Sequence, residues 1–388
     1  MKSHKALFSR ALARLPAHRH AAAHSHHLRP DVVKEAQDAC TEDALCLADL
    51  KWRKFFGEIY PRAQAHVARL LRTGRPENVV FASSTHELLT RLLSCLPTPV
   101  EVLTTDSEFH SAARQFRRLE EERLARVTRV PSEPFETFPE RFAASARASH
   151  DLVFLSHVFF NSGYVVPDLE GLASALAGAI RPSAFVVIDG YHAFAALPID
   201  LARLAARVFY LAGGYKYAMS GEGACFMHAP DGFGPRPVNT GWFAGFTALG
   251  EASEGPVPYP ADASRFAGAT LAPDGLYRFE AVMAMLEREG LDAAAIHERV
   301  RTLQERFLAR LATRALPNSA LLLPGARGNF LTWRTERAPA LHQRLAELGV
   351  VCDYRHDRLR LGFGLYHDPD DIDALAALVS QLEPRPDP

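Results

Sequence analysis

Cysteine is scarce in this 388-residue chain, and the five cysteines are scattered along it. This distribution excludes the dense disulfide framework of small secreted domains, so we expect a reduced, cytoplasmic setting. The net charge is also small, at −1 with histidine counted as neutral. Because proteins neutralise phosphate backbones with a basic surface, we expect no nucleic-acid partner.

Long apolar runs are missing as well. No run reaches the roughly 18 residues that a membrane span needs, so we expect no membrane partner. The length is sufficient for two domains. We predict an N-terminal arm and helix over 1–50, a large α/β domain over 51–273, and a linking helix with a smaller α+β domain over 274–388.

Lysine is the third scarce residue, and Lys216 is the only one after residue 54. Lys216 follows one apolar run, and Asp189 ends the preceding apolar run. Such runs are typical of strands buried on both faces, and ligands of parallel α/β sheets bind at the carboxyl ends of the strands. A lysine for a Schiff base and an acid for a ring nitrogen are the groups that bind pyridoxal phosphate (PLP). Either residue alone is equally well explained as a turn cap or a solvated loop residue.

Two segments around these residues resemble a known family. VVIDGYHAF and GGYKYAMSGEGACFMHAP are similar to the D-x-x-H and (S/T)-Y-K-Y-x-x-(A/S)-G-x-G-x-x-F segments of kynureninases, in the class V aminotransferase group of fold type I PLP enzymes. The resemblance implies a large domain with a mainly parallel seven-stranded sheet, a small C-terminal α+β domain, and an active site shared across a homodimer.

The same resemblance implies roles for four residues of these segments. Lys216 would carry PLP and take up the Cα proton, and Asp189 would keep the pyridine nitrogen protonated. Tyr215 would contact the phosphate and relay a proton. His192 would support Asp189 or the polar edge of the cofactor.

A strand followed directly by a helix at Ser83-Ser84-Thr85 predicts an anion site, because the first N–H groups of a helix lack partners. Ser84 or Thr85 could instead merely cap the helix. The family has its phosphate loop at this junction, which favours Thr85 and the backbone N–H of His86. Phe109 matches the aromatic residue that stacks on the cofactor ring, although a core phenylalanine would fit the pattern too.

Later segments carry the remaining expected contacts. Trp242, in T-G-W-F, would approach the phosphate and border the substrate pocket. Thr270 would contact the phosphate from the neighbouring subunit, although Ala269 stands where the family has glycine. Ser156 and Ser162 would reach the cofactor edge or the substrate, although Ser162 would equally be a turn residue before glycine. Arg360 would hold the substrate carboxylate, with Arg358 as the alternative.

Five histidines form a cluster between residues 18 and 27, at positions 18, 20, 24, 26 and 27. Histidine tracts can bind metal, but no cysteine or carboxylate stands at ligand spacing, which favours a polar arm and no metal site. The resemblance places this segment at the active-site mouth, where His26 or His27 could approach substrate.

Hydrolytic Cβ–Cγ cleavage of kynurenine or a related aromatic amino acid is the reaction that the resemblance favours. An aminotransferase, or another PLP lyase acting by β-elimination or desulfuration, is the alternative. A desulfurase needs a mobile nucleophilic cysteine, and the residues around Cys352 are unlike that family. A non-catalytic protein of the same fold is a third reading. The substrate itself does not follow from the sequence, because loops and a second subunit form the pocket walls.

Overall fold

The computed structural model describes residues 1–230, 235–248, 255–311, 316 and 319–382. Its larger sheet has seven strands, in the order β1-β7-β6-β5-β4-β2-β3. These strands are β1 (Val79–Ala82), β2 (Val100–Thr105), β3 (Ala125–Val130), β4 (Leu152–Ser156), β5 (Phe185–Asp189), β6 (Val208–Gly213) and β7 (Cys225–His228). β7 alone runs in the direction opposite to the other six strands. The predicted mainly parallel seven-stranded sheet is confirmed.

The central strands are apolar throughout because both faces of the sheet are covered. Val186 and Ile188 of β5 belong to one hydrophobic cluster, whereas Phe185 and Val187 belong to a second cluster on the opposite face. Alternate residues of a strand point to opposite faces, so a strand between two helical layers needs an apolar residue at every position. Polar residues are therefore left to the ends of the strands.

Twelve α-helices surround and extend the sheet in the described residues. They are α1 (Ser9–Leu12), α2 (Val32–Leu47), α3 (Lys51–Lys54), α4 (Tyr60–Leu70), α5 (Thr85–Leu93), α6 (His110–Glu121), α7 (Phe138–Ala144), α8 (Leu169–Ala179), α9 (Asp274–Arg288), α10 (Ala293–Arg310), α11 (Ala338–Glu347) and α12 (Pro369–Ser380). A π-helical stretch, Phe55–Ile59, joins α3 to α4. No helix in the described ranges has the length and apolar character to cross a membrane.

A second, antiparallel sheet forms near the C-terminus, in the order β10-β11-β9-β8. Its strands are β8 (Ala320–Leu321), β9 (Phe330–Arg334), β10 (Asp353–Arg355) and β11 (Arg358–Gly362). Helices α10, α11 and α12 contribute to the hydrophobic cluster of this sheet. The domain boundaries at residues 50 and 273 stay a prediction.

The N-terminal segment packs on this second sheet. His20 and Ala22 form parallel bridges to Val351 and Gly362. His24 occupies the space in which Gly362 would carry a side chain, because a Cβ there would lie 2.4 Å from its Nδ1. Glycine at position 362 therefore allows the N-terminal segment to pack closely against β11.

Replacing Gly362 with alanine is expected to lower the free energy of unfolding by about 1–3 kcal/mol, since the added methyl overpacks against His24. Urea denaturation measures the effect. Gly178→Ala is the matched control, because a Cβ at that helical position meets no heavy atom within 4 Å. Equal stability of the two variants would contradict the packing argument.

Candidate active site

Lys216 lies just beyond the carboxyl end of β6, and its side chain is turned into the protein. It is only 4% exposed. Its Nζ lies 4.5 Å from the ring centroid of Tyr191, 4.9 Å from that of Phe109 and 5.3 Å from that of Tyr215. Burial lowers the pKa of Lys216 to about 7, although Asp189 opposes the shift. The amine is therefore neutral for part of the time near neutral pH, as a Schiff-base lysine must be.

Asp189 ends the neighbouring strand, β5. Its Oδ1 accepts a hydrogen bond of 2.9 Å from the backbone N–H of Tyr191. Burial raises the pKa of Asp189, while the Tyr191 N–H and Lys216 oppose this. The parallel pairing of β5 with β6 brings Asp189 and Lys216 to the same edge of the sheet, as the sequence predicts.

A cavity of about 220 Å³ connects these groups. Eight of the residues predicted to contact the cofactor or the substrate line it, from five separate segments of the chain: Thr85, His86, Phe109, Ser156, Asp189, His192, Tyr215 and Lys216. A larger cavity of about 630 Å³ adjoins it at Ser83 and extends to Phe243 and Thr270. We place the chemistry in the smaller cavity, because it holds both the lysine and the acid.

The phosphate end of the expected site lies where β1 meets α5. Ser84 is the N-cap, and its Oγ accepts a hydrogen bond of 3.2 Å from the backbone N–H of Glu87. Thr85 and His86 line the cavity at the first turn of α5, where backbone N–H groups and the helix dipole favour an anion. Ser84, and not Thr85, is therefore the residue that caps α5.

His192 provides a test of whether the cavity fits PLP. The side chain is buried, and its Nδ1 has no hydrogen-bond partner within the described ranges. Burial, with Lys216 and Arg360, holds the pKa of His192 well below its ordinary value, so the ring is neutral. Buried polar atoms are nearly always paired, so this atom is available to a bound polar group. Together with Lys216, Asp189 and the aromatic walls, it makes a cavity that fits PLP.

Tyr215 connects the cavity with the N-terminal segment. Its ring packs at 4.8 Å from that of Tyr191, and the ring of His26 stacks on it at 5.2 Å. Burial raises the pKa of Tyr215 to about 12, so the hydroxyl keeps its proton. The hypothesis that His26 approaches the site fits this stacking.

The predicted polar arm is wrong for most of the histidine cluster. His20, His24 and His27 are buried, and His24 Nε2 lies 2.9 Å from Asp353 Oδ1. Sequence periodicity misses this because the segment packs through isolated bridges and not through a regular element. In the described part of the chain, no three His, Cys, Asp or Glu side chains are grouped to hold a metal ion.

Trp242 and Thr270 lie together but outside the Lys216 cavity. The indole Nε1 donates a hydrogen bond of 3.1 Å to Thr270 Oγ1, and Trp242 is 42% exposed. Thr270 lines the larger cavity. Contact of either residue with a phosphate across a dimer stays a prediction.

The two other residues predicted to contact substrate also lie outside the cavity lining. Ser162 is buried, and its Oγ accepts a hydrogen bond of 3.2 Å from the Tyr164 N–H, which fits the turn reading. Arg360 is 2% exposed, and Asp353 and the Phe160 carbonyl take up its donors. The alternative, Arg358, pairs with Glu133 at 2.8 Å. Substrate roles for Ser162 and Arg360 stay predictions.

Sequence reasoning missed several residues of the cavity lining. The most prominent is Tyr191, whose ring is the nearest of the three around the Lys216 amine. Its position between Asp189 and His192 was a usable signal, because the turn after a strand carries all three side chains to one edge. Cys225, the first residue of β7, also lines the cavity and was not predicted, because the position of β7 in the sheet does not follow from its sequence.

Comparison with known proteins agrees with this geometry. Residues 29–324 match the family model described as aminotransferase class V. Comparison with curated protein sequences gives no match.

Several solved structures share the fold. The cystine C–S lyase C-DES in complex with its product cysteine persulfide has a TM-score of 0.83 and 18% identity, covering 97% of this chain and 100% of its own. A C-DES mutant with glycine covalently linked to its PLP cofactor has a TM-score of 0.82 and 17% identity, covering 98% and 99%. A cysteine desulfurase from Thermococcus onnurineus NA1 has a TM-score of 0.79 and 16% identity, covering 98% of each chain.

The kynureninase subtype is not confirmed by these comparisons, whereas the predicted fold and the predicted cofactor are. The family match covers most of the chain, and the seven-stranded, mainly parallel sheet agrees with it. This chain belongs to the class V aminotransferase family, and it is an enzyme that depends on PLP.

Proposed function

We propose that this enzyme is a C–S lyase, which eliminates a sulfur leaving group from Cβ of an amino acid. The observation that carries the proposal is the composition of the Lys216 cavity. It has an amine that can take a proton and a carboxylate that can hold a ring nitrogen, but it has no activated thiol.

PLP, when bound, would supply an electron sink for the negative charge that develops at Cα of the amino-acid substrate. Lys216 would hold the cofactor, and its Nζ would take the proton from Cα. Asp189 would keep the ring nitrogen protonated, Phe109 would cover one face of the ring, and His192 Nδ1 would bind the polar edge of the cofactor. Loss of the Cα proton and departure of sulfur with the Cβ–S electron pair would leave a Cα=Cβ double bond, and water would convert this three-carbon remainder to pyruvate and ammonia.

The cysteines distinguish elimination from desulfuration by a protein thiolate. Cys225 is the one cysteine that lines the cavity, and it lies within β7 between two paired strands. Burial raises the pKa of the Cys225 thiol to about 11, and burial raises that of Cys352 to about 12. A thiol attacks as its thiolate, so neither group is suited to remove sulfur from a substrate. Elimination needs no such group.

Kynureninase-like cleavage is the second candidate, supported by the segments around Asp189 and Lys216.

The decisive experiment incubates the PLP-loaded enzyme separately with L-cystine, L-cysteine, kynurenine and 3-hydroxykynurenine. Pyruvate and a persulfide from L-cystine are expected. Alanine in place of pyruvate would indicate a desulfurase, and alanine with an anthranilate would indicate a kynureninase; either result overturns the proposal. The Cys352→Ala variant is expected to keep its elimination rate, because that thiol lies in the hydrophobic cluster of the second sheet.

The lowered pKa of Lys216 predicts the pH dependence of cofactor uptake. Only the neutral amine attacks PLP, so the rate should rise with pH through about 7, well below the ordinary lysine range. Stopped-flow absorbance after PLP is mixed with cofactor-free protein measures this rate. A midpoint above pH 9 would show that burial does not lower the pKa of this amine.

A further inference from the structure

Arg360 binds the carboxylate of Asp353, a residue of the same chain. Its Nε lies 2.8 Å from Asp353 Oδ1, and its Nη2 lies 2.5 Å from Asp353 Oδ2. The two residues face each other directly across β10 and β11. Two parallel hydrogen bonds are the geometry by which arginine recognises a free carboxylate. Asp353 thus presents to Arg360 the chemical group that an amino-acid substrate would present.

Asp353 has two further partners that do not depend on Arg360. His24 Nε2 lies 2.9 Å from Oδ1, and Arg355 Nη2 lies 3.5 Å from Oδ2. Although burial opposes it, His24 and Arg360 hold the pKa of Asp353 far below its ordinary value. Two guanidinium groups therefore face a single carboxylate. Buried charge is costly without a counter-charge, so a second carboxylate would balance this cluster.

The cluster borders the Lys216 cavity. Arg360 Nη1 donates a hydrogen bond to the backbone carbonyl of Phe160, and Phe160 lines the cavity. The guanidinium lies 5.9 Å from the Phe160 ring and 5.7 Å from the Phe330 ring. Arg360 is also among the charges that act on Lys216. The carboxylate of an amino acid whose amino group is at Lys216 would lie on this side of the cavity.

We propose that Asp353 occupies the carboxylate-binding fork of Arg360 in the resting enzyme, and that the α-carboxylate of the substrate takes its place. The displaced Asp353 keeps His24 and Arg355 as partners. Substrate affinity is then set by competition with an internal carboxylate. His24 links the N-terminal segment to this exchange. The inference rests on the proposed amino-acid substrate but not on which bond is cleaved.

The test compares binding of L-alanine, which has a carboxylate, with binding of ethylamine, which lacks one. Changes in the visible absorbance of the PLP-loaded enzyme give both dissociation constants. Asp353→Asn keeps the shape of the side chain and removes its charge. We expect the Kd of L-alanine to fall about tenfold and that of ethylamine to stay unchanged. Asp357→Asn, a control at a carboxylate that pairs with Arg334 and Arg358, should change neither.

Arg360→Gln is the second variant, and it leaves Asp353 with two partners. Here the Kd of L-alanine should rise at least tenfold, with ethylamine again unchanged. Unchanged or weaker L-alanine binding in Asp353→Asn, or unaffected binding in Arg360→Gln, would overturn the exchange. The expected pattern in an enzyme that eliminates no sulfur would support the exchange and overturn only the proposed reaction. If neither amine perturbs the spectrum of the unaltered enzyme, the exchange fails, while pyruvate release from L-cystine still decides the proposed reaction.

Discussion

Lys216→Ala is expected to lose the visible absorbance of covalently bound PLP and to lower turnover by at least about 10²–10⁴-fold, the usual contribution of a positioned acid or base. Lys216 is the lysine whose Nζ lies among the rings of Tyr191, Phe109 and Tyr215, in the cavity that also holds Asp189. The variant loses both the amine that would join PLP and the base that would take the Cα proton.

Absorbance before and after borohydride reduction, together with pyruvate release from L-cystine, measures these effects. The matched control is Lys34→Ala, which removes a half-exposed lysine paired with Asp38 on α2. That variant should keep its absorbance and its turnover. A visible band that persists in Lys216→Ala would mean that another group holds the cofactor. A band that is absent even from the unaltered protein after PLP is added would favour the non-catalytic reading.

Asp189→Asn should leave PLP covalently attached but lower turnover by about 10²–10³-fold, the usual cost of removing one electrostatic contact to the transition state. Asparagine can still accept the hydrogen bond from the Tyr191 N–H. It lacks the negative charge that keeps a pyridine nitrogen protonated, so the ring would take up less of the charge that develops at Cα. Asp189→Asn should therefore keep covalent PLP attachment and lose most of its catalytic turnover.

Asp200→Asn is the matched control for that prediction. The Asp200 carboxylate also accepts a backbone hydrogen bond from the residue two positions later, Ala202, but it lies on the surface and pairs with Arg72. Borohydride trapping of Lys216 measures attachment, and initial rates measure turnover. Similar rates for the two variants would remove Asp189 from the mechanism. Loss of trapping in Asp189→Asn would assign it to cofactor binding and not to catalysis.

Much of the Lys216 cavity could be predicted because its residues follow strands that are strongly marked in the sequence. Asp189 and Lys216 end runs that are apolar at every position, and such runs form only between two covered faces. Thr85 also follows a predicted strand, and both Thr85 and Phe109 line the cavity. In a parallel sheet these ends meet at one edge, so local pattern was enough to bring the residues together.

The environment of Arg360 could not be predicted in the same way. Its partner in the fork, Asp353, comes from β10, and His24, which contacts Asp353, comes from the N-terminal segment, 329 residues away in the chain. Arginine on a strand has the same local signal whether it is exposed, bound to substrate or paired with an internal carboxylate. The pairing depends on a register between strands and on isolated bridges, neither of which has a periodicity to read.

The amino-acid sequence alone was sufficient for the fold class, the cofactor and the lysine that would bind it. Buried strands give continuous apolar runs, Lys216 follows such a run, and the segments around it carry the family resemblance. Tertiary packing was needed for the rest. Packing determines that Ser84 caps α5, that His24 lies against Gly362, and that Arg360 pairs with Asp353. Each of these depends on distances between segments that are far apart in the chain, and such distances arise only when the two sheets and the N-terminal segment pack together.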